Sequence, residues 1–374
     1  MMKIIHVSCE GLGNGGVQAV IMNIVRFLKE DINFDILLFT DEERYYEDEF
    51  SKYGHIYRIP NYNGKSKIRR KLDYYIRFYR IFKGTYKIIK KNGPYDAIHC
   101  HNDLESGICN LAAMLAGVKL RISHAHINHS QFSKINIIGN IYRIMLRLLL
   151  NLCSNIKVAC TKEAFQNIFG KKKYKESNSI ILPNPVNISK FSKSRSCLEL
   201  NKDINIVHVG KYCKNKNQKF LIEILPYILK EFPNAILQLI GFGENYKKEL
   251  QNLVKSYGLD SNVKFLPSDS NIKEVLDNAS LFMFPSIREG FGIALLEAQA
   301  MELHCLVSDT VPKEVDCGLC EFLPLTSAKE IWGKEAINII KNKNNNKLDR
   351  KRLLSLDSKN YAKKMKDLYK GGVL

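Results

Sequence analysis

The segment FPSIREGFGIALLEA, residues 284–298, decides how this chain folds. It begins at the end of a short apolar run that predicts a buried strand, continues through a loop that carries Glu289, and enters an apolar helix near Ile293. The first N–H groups of a helix lack intrahelical acceptors and lie at the positive end of its dipole. The backbone of Gly292 and Ile293 is therefore a predicted site for phosphate, and Glu297 lies about one helical turn further along.

The same alternation of strand and helix runs through the whole chain. It favours parallel sheets covered by helices, and a polar stretch, 189–203, interrupts it once. We therefore predict an α/β fold of two tandem, doubly wound, Rossmann-like domains, 1–190 and 191–349, and a C-terminal helix, 350–374, that packs back toward the first domain. Ligands bind such folds at the carboxyl ends of the strands. The predicted strands are 3–8, 34–39, 97–100, 120–123, 156–160, 179–182, 204–209, 236–240, 263–266, 281–284 and 306–308.

Composition limits the classes of function. The chain has 374 residues, and 57 Lys and Arg against 38 Asp and Glu leave a net charge of +19, which favours partners that carry phosphate. It shows no signal-peptide pattern, no apolar stretch of about 18 residues and no known DNA- or RNA-binding motif. We expect a cytoplasmic protein that does not bind nucleic acid. The ten scattered cysteines fit core positions, and the single CxxC, Cys317 and Cys320, supplies too few ligands for zinc.

The segment 284–298 resembles the signature of family 4 retaining glycosyltransferases, in which two glutamates are separated by seven residues. Further motifs agree in order along nearly the whole chain: LPNPV at 182–186, VGKYCKNKN at 209–217, LIGFGE at 239–244 and VSDTVPKEV at 307–315. Two isolated glutamates would more often be merely solvated than functional, but this ordered set favours a site. The resemblance implies the GT-B fold, in which two Rossmann-like domains face a cleft.

The resemblance also implies a role for each matching residue. Glu289 is catalytic and holds the hydroxyls of the transferred sugar, and Glu297 holds the ribose. Lys211 stands where the family has Arg, so it keeps the charge but lacks the bidentate fork. The implied donor-binding residues are Gly15, Gly16, Lys211, Lys216, Gly292, Ile293 and Glu297.

We expect neither a metal nor a cofactor. No Asp-x-Asp follows a predicted strand, and the two lysines with a helix N-terminus can carry the charge of a diphosphate. The nucleotide sugar is a substrate.

The subgroup that the chain resembles builds bacterial capsular and extracellular polysaccharides. This similarity rests on GGVQ at 15–18, ISHAH at 122–126 and the motif at 307–315. It implies retaining transfer from a nucleotide-diphosphate sugar, with UDP as the expected nucleotide, to a lipid-linked or saccharide acceptor. A GT-B nucleotide-sugar epimerase and a non-catalytic sugar-nucleotide-binding protein are the alternatives.

Histidines gather near the ends of predicted strands, at His99, His101, His124, His126 and His129. The HxH pattern places two rings on one strand face, which is a zinc spacing, but no carboxylates accompany it at comparable spacing in the second half. By resemblance His126 is the catalytic histidine, or His124 after a two-residue slip. His101, Asn102 and His124 are candidate acceptor contacts, and buried strand-end histidines explain His99 and His101 equally well.

The segment 65–91, KSKIRRKLDYYIRFYRIFKGTYKIIKK, interleaves cations with aromatic residues. It predicts a helix that contacts an anionic membrane surface, although packing on the sheet explains it nearly as well. We therefore expect a peripheral protein at the inner face of the cell membrane. The predicted lipid contacts are Arg69, Arg70, Lys71, Tyr75, Arg77, Phe78, Arg80 and Phe82.

Overall fold

The computed structural model of the chain describes residues 1–9, 11–60, 69–126, 137–193, 204–342 and 346–371, without the side chains of 69–75, 137–138 and 172. The chain divides into two units. Unit 1 consists of Met1–Asn184 with Ser358–Leu374, and unit 2 is Pro185–Asp357. The predicted boundary after residue 190 lies a few residues beyond this division, and 350–357 belongs to unit 2.

Unit 1 contains a seven-stranded sheet in which every pairing is parallel. Its strands are β1 (Met2–Ser8), β2 (Ile32–Leu38), β3 (Ile56–Arg58), β4 (Ala97–Cys100), β5 (Leu120–Ala125), β6 (Ile156–Ala159) and β7 (Ser179–Ile181). Its first helices are α1 (Gly16–Leu28), α2 (Glu47–Phe50), α3 (Arg69–Asn92), α4 (Ser106–Ala116), α5 (Ile137–Cys153) and α6 (Lys162–Ile168). The spatial order β3-β2-β1-β4-β5-β6-β7 reverses direction between β1 and β4. The loops after β1 and β4 therefore flank the switch point where doubly wound folds bind ligands.

Unit 2 repeats this design with six parallel strands in the order β10-β9-β8-β11-β12-β13. The strands are β8 (Asn205–Val209), β9 (Ile236–Ile240), β10 (Val263–Leu266), β11 (Leu281–Phe284), β12 (Cys305–Ser308) and β13 (Cys320–Leu323). The helices are α7 (Gln218–Leu229), α8 (Glu244–Ser256), α9 (Ile272–Asp277), α10 (Ile293–Ala300), α11 (Lys329–Asn342) and α12 (Arg350–Ser355). Here the order reverses between β8 and β11. The predicted α/β class, with two doubly wound sheets, is confirmed.

The last helix, α13 (Ser358–Tyr369), returns the chain to unit 1. It packs against α1, and Lys366 forms an ion pair of 2.7 Å with Asp31. Its final residue, Tyr369, is buried, and the phenolic oxygen lies 2.8 Å from Nδ1 of His99. Unit 1 is thus closed by residues that follow the whole of unit 2 in the chain.

The core of unit 2 is built around Trp332 of α11. Its side chain is fully buried, meets the ring of Phe220 edge-on at 5.3 Å between centroids, and donates Nε1–H to the Pro324 carbonyl at 3.1 Å. The neighbouring Ile331 points to solvent on the same helix turn. A large aromatic ring with a satisfied donor is a principal source of apolar burial in such a core.

We expect Trp332→Ala to lower the free energy of unfolding of unit 2 by about 3–5 kcal/mol, because it removes a fully buried ring and leaves a cavity. Urea denaturation followed by circular dichroism measures the change. Ile331→Ala is the matched control and should stay within about 0.5 kcal/mol of the parent. Equal losses in the two variants would contradict the proposed core.

Candidate functional site

Two loops of unit 2 lie side by side at its switch point. One follows β8 and spans 210–217, and the other follows β11 and spans 285–292. The N–H of Ile287 donates to the Asn215 carbonyl at 2.8 Å, and the Asn215 side chain donates Nδ2–H to the Arg288 carbonyl at 2.8 Å. These bonds hold the loops in register, so side chains from both reach the same place.

Lys216 and Glu289 meet across these loops as an ion pair. About 20% of the lysine side chain and 10% of the glutamate side chain remain exposed. The Lys216 ammonium also lies 4.9 Å from the centre of the Phe284 ring, and Asn217 donates Nδ2–H to the Pro285 carbonyl at 3.2 Å. The structure therefore brings together a predicted donor-binding lysine and the predicted catalytic glutamate.

Lys211 is on the same loop but has a different neighbour. Its side chain is exposed, and the ammonium lies 5.7 Å from the centre of the Phe242 ring. Beneath it Gly241 touches the backbone of Gly210, where a Cβ on Gly241 would lie 2.1 Å from the Gly210 carbonyl oxygen. Only glycine fits that contact, and it lets the turn after β9 support the loop that carries Lys211.

The N-terminus of α10 follows the Glu289 loop. Gly292 precedes the helix with φ 99°, a conformation that favours glycine, and no side chain caps the first turn. Ile293 is the first helical residue, and the first turn holds no acidic residue. The start of α10 thus has the uncapped backbone and the lack of nearby acidic residues that the predicted anion site requires.

Glu297 lies on the second turn of α10. Burial raises the pKa of its carboxyl group to about 7, and the positive charge of Lys190 opposes the rise. The group therefore changes its charge within the physiological range. When it is ionised, the Glu297 carboxylate can accept hydrogen bonds from a pair of hydroxyls, and the ionised fraction depends on pH.

Gly15 and Gly16 start α1 after the loop that follows β1 in unit 1. Gly15 is extended, no side chain caps the helix, and its first turn has no acidic residue. These are the conditions under which a helix N-terminus attracts an anion. The two glycines therefore lie at the switch point of unit 1, as Lys216 and Glu289 lie at that of unit 2.

Buried imidazoles of unit 1 form a hydrogen-bonded network across β1, β4 and β5. Nε2 of His101 lies 3.0 Å from Nδ1 of His6, and Nδ1 of His101 lies 2.8 Å from Nε2 of His126. A second pair joins Nε2 of His99 to Nδ1 of His124 at 3.2 Å. The structure brings together four of the five predicted histidines, and His129 lies outside the described residues.

All five rings of the network are neutral at pH 7. Burial lowers the pKa of His6 to about 3 and that of His126 to about 4, and the side-chain amide of Asn184 partly opposes the latter shift. Burial also holds the pKa values of His99, His101 and His124 well below the usual value. A neutral imidazole has one donor and one acceptor nitrogen, so the proton position on His101 constrains both of its neighbours.

Two overlapping groups could place three nitrogens around a metal ion, namely His6, His99 and His101, and His101, His124 and His126. Their ligand atoms lie within 4.8 Å of one another, and neither group includes a carboxylate. Hydrogen bonds of 2.8 and 3.0 Å already occupy both nitrogens of His101. The geometry therefore fits a hydrogen-bond network better than a metal centre.

Three residues of these sites were absent from the sequence prediction. His6 joins the network because β1 pairs with β4, which brings His6 opposite His99. Tyr369 arrives on the last helix, and Asn215 connects the two loops of unit 2. The predicted acceptor residue Asn102 is buried, and neither atom of its side-chain amide has a hydrogen-bond partner. Such an amide has donor and acceptor capacity that the fold does not use.

Two family models match the chain. Glycosyltransferase Family 4 covers residues 14–190, and Glycosyl transferases group 1 covers residues 190–316. Among the described residues, no helix has the length and hydropathy needed to cross a membrane.

Curated relatives resemble the chain over most of its length. The protein named glycosyltransferase EpsF of Bacillus subtilis is 27% identical over 89% of this chain and 86% of its own. The capsular polysaccharide biosynthesis glycosyltransferase CapH of Staphylococcus aureus is 24% identical over 84% and 82%. The Escherichia coli UDP-Gal:alpha-D-GlcNAc-diphosphoundecaprenol alpha-1,3-galactosyltransferase is 25% identical over 82% and 79%.

The crystal structure of Anabaena HepE in complex with UDP and glucose superposes with a TM-score of 0.78. It is 15% identical in sequence and the match covers 99% of this chain and 100% of HepE. That likeness establishes the fold, and the two family models establish the class of enzyme. The chain is therefore a GT-B glycosyltransferase, with a family 4 region followed by a group 1 glycosyl transferase domain.

Proposed function

We propose that this enzyme transfers a sugar from UDP to a lipid-linked or saccharide acceptor, with retention of anomeric configuration, in the assembly of a bacterial capsular or extracellular polysaccharide. The observation that carries the proposal is the ion pair of Lys216 and Glu289 beside the uncapped start of α10. The names of CapH and of the Escherichia coli galactosyltransferase support the polysaccharide and the lipid-diphosphate acceptor, and the HepE complex supports UDP.

The donor diphosphate would lie between Lys216, Lys211 and the N-terminus of α10. Transfer breaks the bond between the anomeric carbon and a phosphate oxygen and forms a bond to an acceptor hydroxyl oxygen, whose proton leaves. Negative charge then grows on the departing UDP, and fixed cations and backbone N–H groups stabilise it. The family resemblance also assigns Gly15 and Gly16, at the uncapped start of α1, to donor binding.

Glu289 would accept hydrogen bonds from hydroxyls of the transferred sugar, and Glu297 from the ribose. Lys216 holds Glu289 in place before the donor arrives. His126 would contact the sugar as a neutral imidazole, because burial lowers its pKa to about 4. Its bond to His101 orients the ring.

The acceptor would bind at the carboxyl ends of β4 and β5. His101, Asn102 and His124 lie there, and the buried amide of Asn102 has no hydrogen-bond partner. A lipid-linked acceptor requires the enzyme to work at the inner face of the cell membrane, where anionic lipids attract a chain of net charge +19.

We expect Glu289→Gln to lower kcat about 100-fold or more while the affinity for UDP changes less than about threefold, because the lost contacts are to the sugar rather than to the nucleotide. Steady-state kinetics and calorimetry separate the two effects. Glu302→Gln, at an exposed glutamate of unit 2, is the control. A variant that keeps the parent kcat would remove Glu289 from the catalytic residues.

We expect UDP affinity to depend on the ionisation of Glu297. Its pKa of about 7 means that the carboxylate forms as the pH rises from 6 to 8, so its contribution to ribose binding should grow over that interval. Glu297→Gln should bind UDP about tenfold more weakly than the parent at pH 8 and nearly equally at pH 6. Comparison with the variant cancels the titration of UDP itself, and parallel pH profiles would refute the assignment.

We expect transfer to persist in EDTA, since the lysines and helix starts carry the diphosphate charge. UDP-galactose, UDP-glucose and UDP-N-acetylglucosamine are tested with GlcNAc-diphosphoundecaprenol, the acceptor in the name of the Escherichia coli relative. Mass spectrometry identifies a glycoside, and NMR gives its anomeric configuration. A requirement for added Mg²⁺ or Mn²⁺ would exclude the metal-free mechanism. A released UDP-linked epimer would favour the nucleotide-sugar epimerase, and the absence of any product would favour the non-catalytic sugar-nucleotide-binding protein.

A further inference from the structure

Helix α5 exposes an apolar stripe that the fold of unit 1 does not use. Its members are spaced like one helix face, and their exposed fractions range from 37% at Met145 to 78% at Leu152. The opposite face already serves the core, because Leu146 and Leu150 are buried and their backbone packs against Gly107 of α4. The stripe consists of Ile141, Ile144, Met145, Leu148 and Leu152.

A stripe of this kind marks an interaction surface. Single exposed apolar residues are ordinary, but five on one helix face are not. Helix α4, which packs between α3 and α5, adds exposed Met114 and Leu115 at its end.

The charge around the stripe has one sign. The sequences of α3, α4 and α5 contain eleven Lys or Arg residues and one acidic residue, Asp73. Among the cations of α3, the side chains of Lys83, Lys87 and Lys90 are exposed. An apolar stripe in a helical layer with a strong excess of cations has the composition of an interfacial surface on anionic lipid.

The predicted lipid-contact helix α3 supplies exposed cations and two large exposed apolar residues. Arg77 is held by Glu105 through two bonds of 2.6 and 2.8 Å, and Phe82 is partly buried. Ile76 and Tyr79 are its large exposed apolar residues in the described part. The predicted contacts Arg69, Arg70, Lys71 and Tyr75 have side chains outside the described part.

The position of α5 suits an acceptor held in a membrane. Helices that follow parallel strands run back along the sheet, so the first turns of α5 lie toward the carboxyl ends of the strands. Gly107, near the start of α4, packs against Leu146 and Leu150, so the turn that holds Ile141 extends beyond that start. The stripe therefore begins at the sheet edge that carries His101.

We infer that the α5 stripe docks on an anionic bilayer surface, with the cations of α3 beside it at the headgroups. The docking itself requires no transfer activity, and its benefit to a lipid-linked acceptor rests on the proposed function. A second copy of the chain is a poorer occupant, because each copy carries a net charge of +19 and like charges repel.

Vesicle flotation tests the inference with the full chain. The vesicles contain phosphatidylcholine alone or with phosphatidylglycerol, at low and high salt. The variant Ile144→Glu/Leu148→Glu should reduce the floated fraction on phosphatidylglycerol vesicles at least tenfold. The matched control, Ile331→Glu/Leu354→Glu, adds the same charge at equally exposed positions of unit 2 and should float like the parent.

Controls keep the outcomes distinct. Circular dichroism and UDP affinity should be unchanged in both variants, and the milder Ile141→Ser/Leu152→Ser should weaken flotation in the same direction. Equal flotation of the α5 variant and the control would overturn the inference, as would a parent dimer that the α5 variant dissociates. Because no donor or acceptor is present, loss of flotation and loss of transfer are separate results.

Discussion

The switch point of unit 2 depends on one ion pair, Lys216 with Glu289. Each partner comes from a loop at the carboxyl end of a strand, and the two strands flank the point where the sheet reverses its order. A partly buried pair of this kind adds little to stability when desolvation is counted, so its main effect is positional. It keeps a cation and a carboxylate side by side, and in the proposed donor site a diphosphate would replace the carboxylate as the partner of the lysine.

The histidine network imposes a comparable constraint on unit 1. Each neutral ring has one proton to donate, so a bond made by His101 to one neighbour decides what it can offer the other. His126 is therefore oriented by His101, which is itself hydrogen-bonded to His6. Tyr369 contacts the second pair of rings through His99. Removing one ring changes the proton positions of those that remain.

The sequence predicted the fold because strand and helix patterns alternate clearly where both faces of a strand are buried. It missed β3 and β13, because these are short edge strands with mostly partly buried residues and weak apolar runs. The pairing of Lys216 with Glu289 was predicted as a shared site through the family motifs. In the sequence, Asn215 is only a polar residue between two lysines. Its role of joining the two loops depends on the Arg288 carbonyl, which only the fold brings within reach.

Contacts between residues far apart in the chain could not be predicted from the sequence for the same reason. The network around His101 forms only when the strands pair. The exposed side of α5 is as apolar in sequence as its buried side. Composition was enough to predict the basic helix α3. The exposed apolar surface of α5 could be recognised only from the solvent exposure of its side chains in the structure. Periodicity shows that a helix has an apolar face, but not whether a partner covers it.

The return of α13 to unit 1 has a consequence for synthesis of the protein. Unit 2 is one uninterrupted stretch, so it can fold on the ribosome as soon as it has emerged. Unit 1 must wait for its last helix, which buries Tyr369 and packs on α1. Throughout translation of unit 2, the part of unit 1 that α13 will cover stays open to water and to chaperones. The N-terminal half of this enzyme is thus made first and finished last.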